Sequence, residues 1–299
     1  MNGLKGLAQD YTRSLKAIEM EEALDLVLYR PLAFVIAKVA HPTPITPNQI
    51  SVASLGFGLL AGWLFAAGTP EAGIAAAAAY FLCNTLDCAD GQLARLRGKP
   101  SPFGYIVDGS IDYLASVAVF VGIAHHLVVQ KPGEHNWWLV AMVAGCCYAW
   151  QCAIVDRKRM EWDHKVYGKR HDPAATERFF AAHLELYRQQ GSHHLERGMI
   201  RAYLFYSWVC TRLISRHQEE VAETSSSAEA WAVYNRPVLR MALWMGPSTQ
   251  MSLIMLAGAM NRLDLYLWGV LLLGNLHALF VVLAQRHADD KVSRLAASR

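Results

Sequence analysis

The sequence predicts an all-α integral membrane protein, with six transmembrane helices and an N-terminal interfacial helix ahead of the first. Three observations carry this. The 299-residue chain is 54% hydrophobic and only 18% charged, a balance that membrane rules describe better than two soluble domains. Apolar runs of about 20 residues, the length of a bilayer-crossing helix, recur at 50–68, 73–93, 103–129, 137–155, 238–260 and 265–284. Lysine and arginine are also lopsided. With the N-terminus inside, the outward connections 69–72, 130–136 and 261–264 hold only Lys131 and Arg262 of 28 basic residues, as the positive-inside rule requires.

Residues 1–49 read as cytoplasmic or interfacial helices. Leu24, Leu26, Val27 and Leu28 precede Pro31, which suits the first turn of a new helix, and Leu32, Phe34, Val35, Ile36 and Val39 follow it. Both pieces are too short and too charged to span, so they are expected to lie in the interface. Residues 50–155 carry spans one to four, with turns at TPEAG (69–73) and GKPSP (98–102). Residues 156–237 form a cytoplasmic, basic and aromatic segment, 238–286 hold spans five and six, and 287–299 form a cytoplasmic tail. A net charge of +3 fits an anionic membrane surface or a phosphate-bearing substrate and leaves no nucleic-acid footprint. The six cysteines form no C-x-x-C pair, so neither a disulfide framework nor a zinc site follows.

One stretch breaks the apolar pattern. LDCADGQLARLRGKPSPFGYIVDGSID, Leu86 to Asp112, sets four aspartates inside spans two and three. On a helix turning 100° per residue, Asp87, Asp90, Gly91, Ala94 and Arg95 share an arc of about 140°. On the next helix Gly104, Asp108 and Asp112 are spaced i, i+4, i+8 and drift by about 80°. A short hairpin would turn the two faces toward each other, near the cytoplasmic end of the bundle. Four unpaired aspartates at bilayer depth would cost on the order of 10 kcal/mol, and the nearby cations Arg95, Arg97 and Lys99 are too few to neutralise them. A bound hard cation, Mg²⁺ or Mn²⁺, suits an all-oxygen donor set completed by water and substrate phosphates. Gly91 and Gly104 admit a ligand close to the backbone, and Arg95 offers a donor fork for phosphate. Taken alone, the residues support four carboxylates shared between metal and general base, acting on a diphosphate.

The spacing D-x2-D-G-x2-A-R-x8-G-x3-D-x3-D, met here by Asp87, Asp90, Gly91, Ala94, Arg95, Gly104, Asp108 and Asp112, resembles the signature of the CDP-alcohol phosphotransferases (CDP-alcohol phosphatidyltransferases). PITPNQIS at 44–51 resembles the family's lead-in to its first span, and six spans match its architecture. The resemblance implies a Mg²⁺-dependent enzyme that transfers a phospho-alcohol group from a CDP-linked donor to an acceptor hydroxyl and releases CMP, in phospholipid synthesis. It implies that Asp87, Asp90 and Asp108 bind metal on the diphosphate, and that Asp112 is the general base and a second-metal ligand. Gly91, Ala94, Arg95 and Gly104 would line the CDP pocket, with Asn48 reaching the nucleotide. The donor would be CDP-diacylglycerol or a soluble CDP-alcohol; TPITPNQIS is similar to the branch that uses CDP-inositol. Membrane lipids and a second copy of the chain, as a homodimer, are the other implied partners.

Two other readings compete. An intramembrane prenyltransferase also holds a diphosphate on aspartate-rich helices and releases pyrophosphate, but it uses two such motifs far apart, and this chain has one. An ion-coupled transporter would use buried carboxylates without the adjoining D-G-x2-A-R. Arg157 and Arg159, in DRKRM at the end of span four, suit either lipid headgroups or an acceptor's phosphate.

Overall fold

The computed structural model describes residues 2–98, 102–168, 173–189 and 228–297, with Gly191, Arg197, Gly198, Ile200, Arg201 and Leu204. All secondary structure among them is helical. The chain divides into two compact units, 1–159 with 237–285 and 160–236 with 286–299.

The first unit opens with α1 (Asn2–Ser14) and a 3₁₀ turn at Ile18–Met20; a π turn at Asp25–Tyr29 then runs into α2 (Arg30–Ala40). Pro31 sits in the first turn of α2, as the sequence predicts. There its missing N–H removes no helical bond. Ala33, Ala37 and Ala40 pack in one core with Cys88, Ala89 and Leu93. Leu32, Val35 and Val39, on the opposite side, stay exposed.

The spans follow from local signals. Thr46 and Gln49 form a reciprocal capping box at the start of α3 (Pro47–Ala67): the Thr46 N–H donates to Gln49 Oε1 at 2.9 Å and the Gln49 N–H donates to Thr46 Oγ1 at 3.3 Å. Gly68, in the left-handed region at φ 77°, ends that helix. Thr69 then caps α4 (Pro70–Leu96), accepting from the Ala72 N–H at 3.2 Å. Helices α5 (Pro102–Gln130) and α6 (Trp137–Tyr167) follow.

Helix α3 packs against both α4 and α5, and small residues set the approach. A Cβ on Gly58 would lie 2.6 Å from Ala115 Cβ and 3.2 Å from Cys83 Sγ. One on Gly62 would overlap the Ala118 carbonyl, and one on Gly122 the Gly62 carbonyl. Small residues four apart let helix backbones touch where lipid supplies no hydrophobic drive.

Among the described residues, five helical stretches are long and apolar enough to cross a membrane: Pro47–Ala67, Pro70–Leu96, Ile111–Gln130, Trp137–Tyr167 and Leu263–Leu295. The protein is all-α and largely membrane-spanning. The run 238–260, expected as one span, is broken. Helix α8 (Ala228–Leu243) ends in tightened i→i+3 bonds at Trp244, Met245 and Gly246, and Pro247 opens α9 (Pro247–Ala259). Neither piece alone is long enough to count as a span. The last span is one rod made of α10 (Leu263–Gly269), a π segment at Val270–Gly274 and α11 (Asn275–Ala297). The widened turn is tied to α6 and α9, since Gln151 Nε2 donates to the Val270 carbonyl at 3.1 Å and Gln250 Nε2 donates to Gln151 Oε1 at 2.7 Å. Lys131 and Arg262, the two basic residues of the expected outward connections, both meet Asp264, at 2.8 and 3.3 Å.

In the second unit, Trp162 is almost fully buried and packs 5.8 Å from Trp231, with Arg236 over its ring at 5.8 Å. Helix α7 (Pro173–Gln189) buries Phe180.

Candidate active site

The contact at Gly58 organises the site. Ala115 and Cys83 meet there, and Ser54, one turn earlier on α3, donates to the Cys83 carbonyl at 2.9 Å. From that crossing three chains run toward the same end of the bundle. Helix α3 runs back through Ser54 to Ser51, α4 forward through Asp87 to Asp90, and α5 back from Ala115 to Asp112. The described acidic positions of both helices, Asp87, Asp90 and Asp112, therefore lie on the same side of that crossing.

Within this end, Asp90 is 4% exposed, and the Ser51 hydroxyl donates to its Oδ2. Asp87 is half-buried one turn away on the same face, and Asp112 is exposed on α5. Gly104 and Asp108 belong to α5, but their side chains lie outside the described residues. Among the described side chains, no group of three or more His, Cys, Asp or Glu is assembled to hold a metal. The donor chemistry still fits a hard cation. Every acidic position offers oxygen, and the buried Asp90 holds its carboxylate against the Ser51 hydroxyl.

The predicted nucleotide-side residues divide. Asn48 is exposed in the first turn of α3, where the capping box leaves its amide free of helix-start duties. Gly91 and Ala94 are half-buried on the acidic face of α4. Arg95 folds back over Gly91, at 3.3 Å from an ideal Cβ there, and its Nε donates to the Ser14 carbonyl at the end of α1. Its Nη2 is buried with no hydrogen-bond partner among the described residues. One donor of the fork is thus taken by the protein, and a buried one remains for an anion.

Two features near the site escape sequence reading. The first is Arg97, whose guanidinium donates to the carbonyls of Ile45 at 2.7 Å, Ala40 at 2.9 Å, Thr43 at 2.9 Å and His41 at 3.2 Å. Such a pairing of a basic side chain with the last carbonyls of a helix is familiar, but no spacing rule pairs residue 97 with residues 40–45.

The second is a buried charge cluster. Glu21 takes two bonds from Arg30, at 3.0 and 3.3 Å. Arg159, read from sequence as a headgroup or phosphate ligand, instead donates to the Met20 carbonyl at 2.9 Å and to Glu22 at 3.2 Å. Glu22 also accepts from the N–H and hydroxyl of Thr249, both at 2.8 Å, and so caps the start of α9. Asp25, 4% exposed, keeps Oδ1 buried without a hydrogen bond among the described residues.

Burial first and the neighbouring Asp25 second push the Glu22 carboxyl above its ordinary 4.5, with Arg159 and Thr249 pulling back. Burial likewise pushes Asp25 above its ordinary 3.8, against Ser248 and Arg30. A carboxyl with a raised folded pKa contributes most stability below its unfolded value, and loses it as pH rises through the folded one. Stability should therefore fall from pH 4 toward neutrality. Asp25→Asn is expected to flatten that fall and to add about 1 kcal/mol at neutral pH, read by thermal unfolding in detergent across pH; an unchanged profile would show that Asp25 is not the titrating group.

The fold is that of a polytopic helical membrane protein with carboxylates of two adjoining helices toward one end of its bundle and a buried guanidinium nitrogen left without a partner among the described residues. The chain is a member of the CDP-alcohol phosphatidyltransferase family, whose sequence profile it matches over residues 44–212, more than half its length. It is 39% identical over 90 residues to the archaetidylinositol phosphate synthase of Pyrococcus horikoshii, 30% of this chain and 46% of that protein. It is 35% identical over 82 residues to the bifunctional IPC transferase and DIPP synthase of Rubrobacter xylanophilus, 27% of this chain and 18% of that protein. To the ceramide phosphoethanolamine synthase of Drosophila melanogaster it is 33% identical over 129 residues, 40% and 33% of the two chains. The chain spans less than half the length of these curated relatives.

Proposed function

We propose that this protein is a Mg²⁺-dependent CDP-alcohol phosphotransferase of phospholipid synthesis, active near the cytoplasmic face of its membrane. The observation that carries the reading is the meeting of α3, α4 and α5 at Gly58, from which Asp87, Asp90 and Asp112 run to one end of the bundle. Family membership supports the reaction type.

Asp87, Asp90 and Asp108 would hold the metal, which would supply charge neutralisation for the diphosphate and the departing CMP. Asp90, buried against Ser51, is the most constrained of them. Arg95 Nη2 offers a phosphate oxygen its missing partner. Gly91, Ala94 and Gly104 line the CDP, with Asn48 at the nucleotide rim. The acceptor hydroxyl attacks the phosphorus that bears the donor alcohol. The bond from that phosphorus to the bridging oxygen breaks, CMP departs, and the hydroxyl proton passes to Asp112. Its exposure on α5 suits a base that must reach a mobile acceptor.

In this reading α8 and α9 together complete a sixth crossing as a broken helix. The outward Leu32, Val35 and Val39 of α2, exposed at 42, 60 and 69%, lie in the membrane interface. Segment 156–237 is cytoplasmic and the working form is a homodimer.

The test is purified protein in detergent with Mg²⁺, a panel of CDP-linked donors, and acceptors that include inositol phosphate. CMP release supports the reading; pyrophosphate release from prenyl diphosphates would replace it with the prenyltransferase. Asp112→Asn is expected to lower turnover by about a hundredfold or more, the range of a lost general base, while donor binding changes little. An equal loss of donor binding would make Asp112 a metal ligand rather than the base.

A further inference from the structure

We infer that Arg97 is a positioning residue for the donor: it holds the 40–46 loop so that the first turn of α3, with Asn48, stands at the nucleotide rim. The inference rests on the CDP reading above and concerns a residue outside the acidic signature.

The geometry is specific. One guanidinium gathers four carbonyls at 2.7 to 3.2 Å: Nη1 donates to Ile45, and the two hydrogens of Nη2 are shared among Ala40, Thr43 and His41. The loop adds its own bonds, since the Thr43 hydroxyl donates to the Ala40 carbonyl at 2.7 Å and accepts from the Ile45 N–H at 3.3 Å. One residue beyond Ile45 the capping box begins. The loop is mostly solvent-exposed and buries little that would fix its course. Its conformation therefore depends on the carbonyls that Arg97 collects, and a planar fork is the side chain able to serve several at once.

The start of α3 is thereby registered on the acidic helix at two points. Ser51 donates to Asp90, and two residues past Arg95 the same helix reaches back through Arg97 to the loop before Asn48. Loss of the first disturbs the acidic level; loss of the second leaves the carboxylates in place and frees the nucleotide rim. Arg97 should therefore govern donor KM and leave kcat nearly untouched.

Arg97→Lys keeps the charge and loses the fork. It is expected to raise donor KM by about tenfold, the worth of one or two net hydrogen bonds, with kcat within about threefold of wild type. Amide exchange of residues 43–50 should quicken while that of 115–125 stays slow. Asn48→Ala should raise KM as well, and the double variant should fall short of the product of the two effects, because both act through one turn. A KM within twofold of wild type, or a fall in kcat at constant KM, would overturn the role, and so would full multiplicativity with Asn48→Ala. Should the arginine variant fail to accumulate, fast exchange at the 43–46 amides of the wild-type protein would overturn the clamp. Failure of wild type to release CMP from every donor would instead strike the CDP reading, while the exchange data still judge the clamp.

Discussion

Asp90→Asn is expected to reduce CMP release by about a thousandfold or more, in the range seen when a charge-stabilising group is removed from a reaction centre. The substitution keeps the size of the side chain and its bond to Ser51, so the packing of α3 on α4 should survive. What it removes is the negative charge of a group only 4% exposed. A neutral amide at that depth is easier to bury than a carboxylate, and the variant should unfold no earlier than wild type. Activity and stability should thus part company: a protein that inserts, purifies and melts normally but turns over almost nothing. The measurement is initial CMP release at saturating donor over a Mg²⁺ titration, beside thermal unfolding of the same sample. Near-normal release would remove Asp90 from the metal site and leave the Ser51 contact as packing.

Gly62→Val carries the largest expected loss of stability. A Cβ there overlaps the Ala118 backbone, and the reciprocal position, Gly122, has the same problem with the Gly62 carbonyl. Backbone cannot swing aside as a side chain can, so α5 must be pushed off α3. Overpacking of this kind costs about 1–3 kcal/mol or more, a large share of a domain's net stability. Gly56 on the same helix is the control, since nothing lies within 4 Å of an added Cβ. Gly56→Val should purify and melt close to wild type, whereas Gly62→Val should aggregate or melt many degrees lower. Equal behaviour of the two would mean that α3 and α5 do not pack at this crossing.

Much of the architecture is readable without coordinates. Hydropathy locates the crossings of α3, α4, α5, α6 and the final rod, because an apolar helix of bilayer length is a composition signal that needs no partner. The capping box at Thr46 and Gln49 and the Gly-Thr-Pro turn at 68–70 are local chemistry and place two helix starts. In the run 238–260, averaging over a window conceals Gly246–Pro247, where the helix stops and restarts. The aspartate motif from Leu86 to Asp112 locates both acidic helices through spacing alone. Spacing does not say that Arg95 shares its guanidinium with Ser14, that Arg97 serves a loop more than fifty residues earlier in the chain, or that Arg159 is held by Glu22. Those pairings depend on which helices come to lie side by side, which only long-range packing decides.

The cap that Glu22 places on α9 spans 227 positions of sequence. A ribosome that has released the first spans has yet to release Thr249, so the amides that open α9 find their acceptor only after the helices from α3 to α8 that are described between them have been made. Until then the carboxylate waits beside Arg159 alone, and a short helix with an unsatisfied start has little reason to stay in lipid. A nascent chain halted before Thr249 therefore lacks the donors that this carboxylate caps.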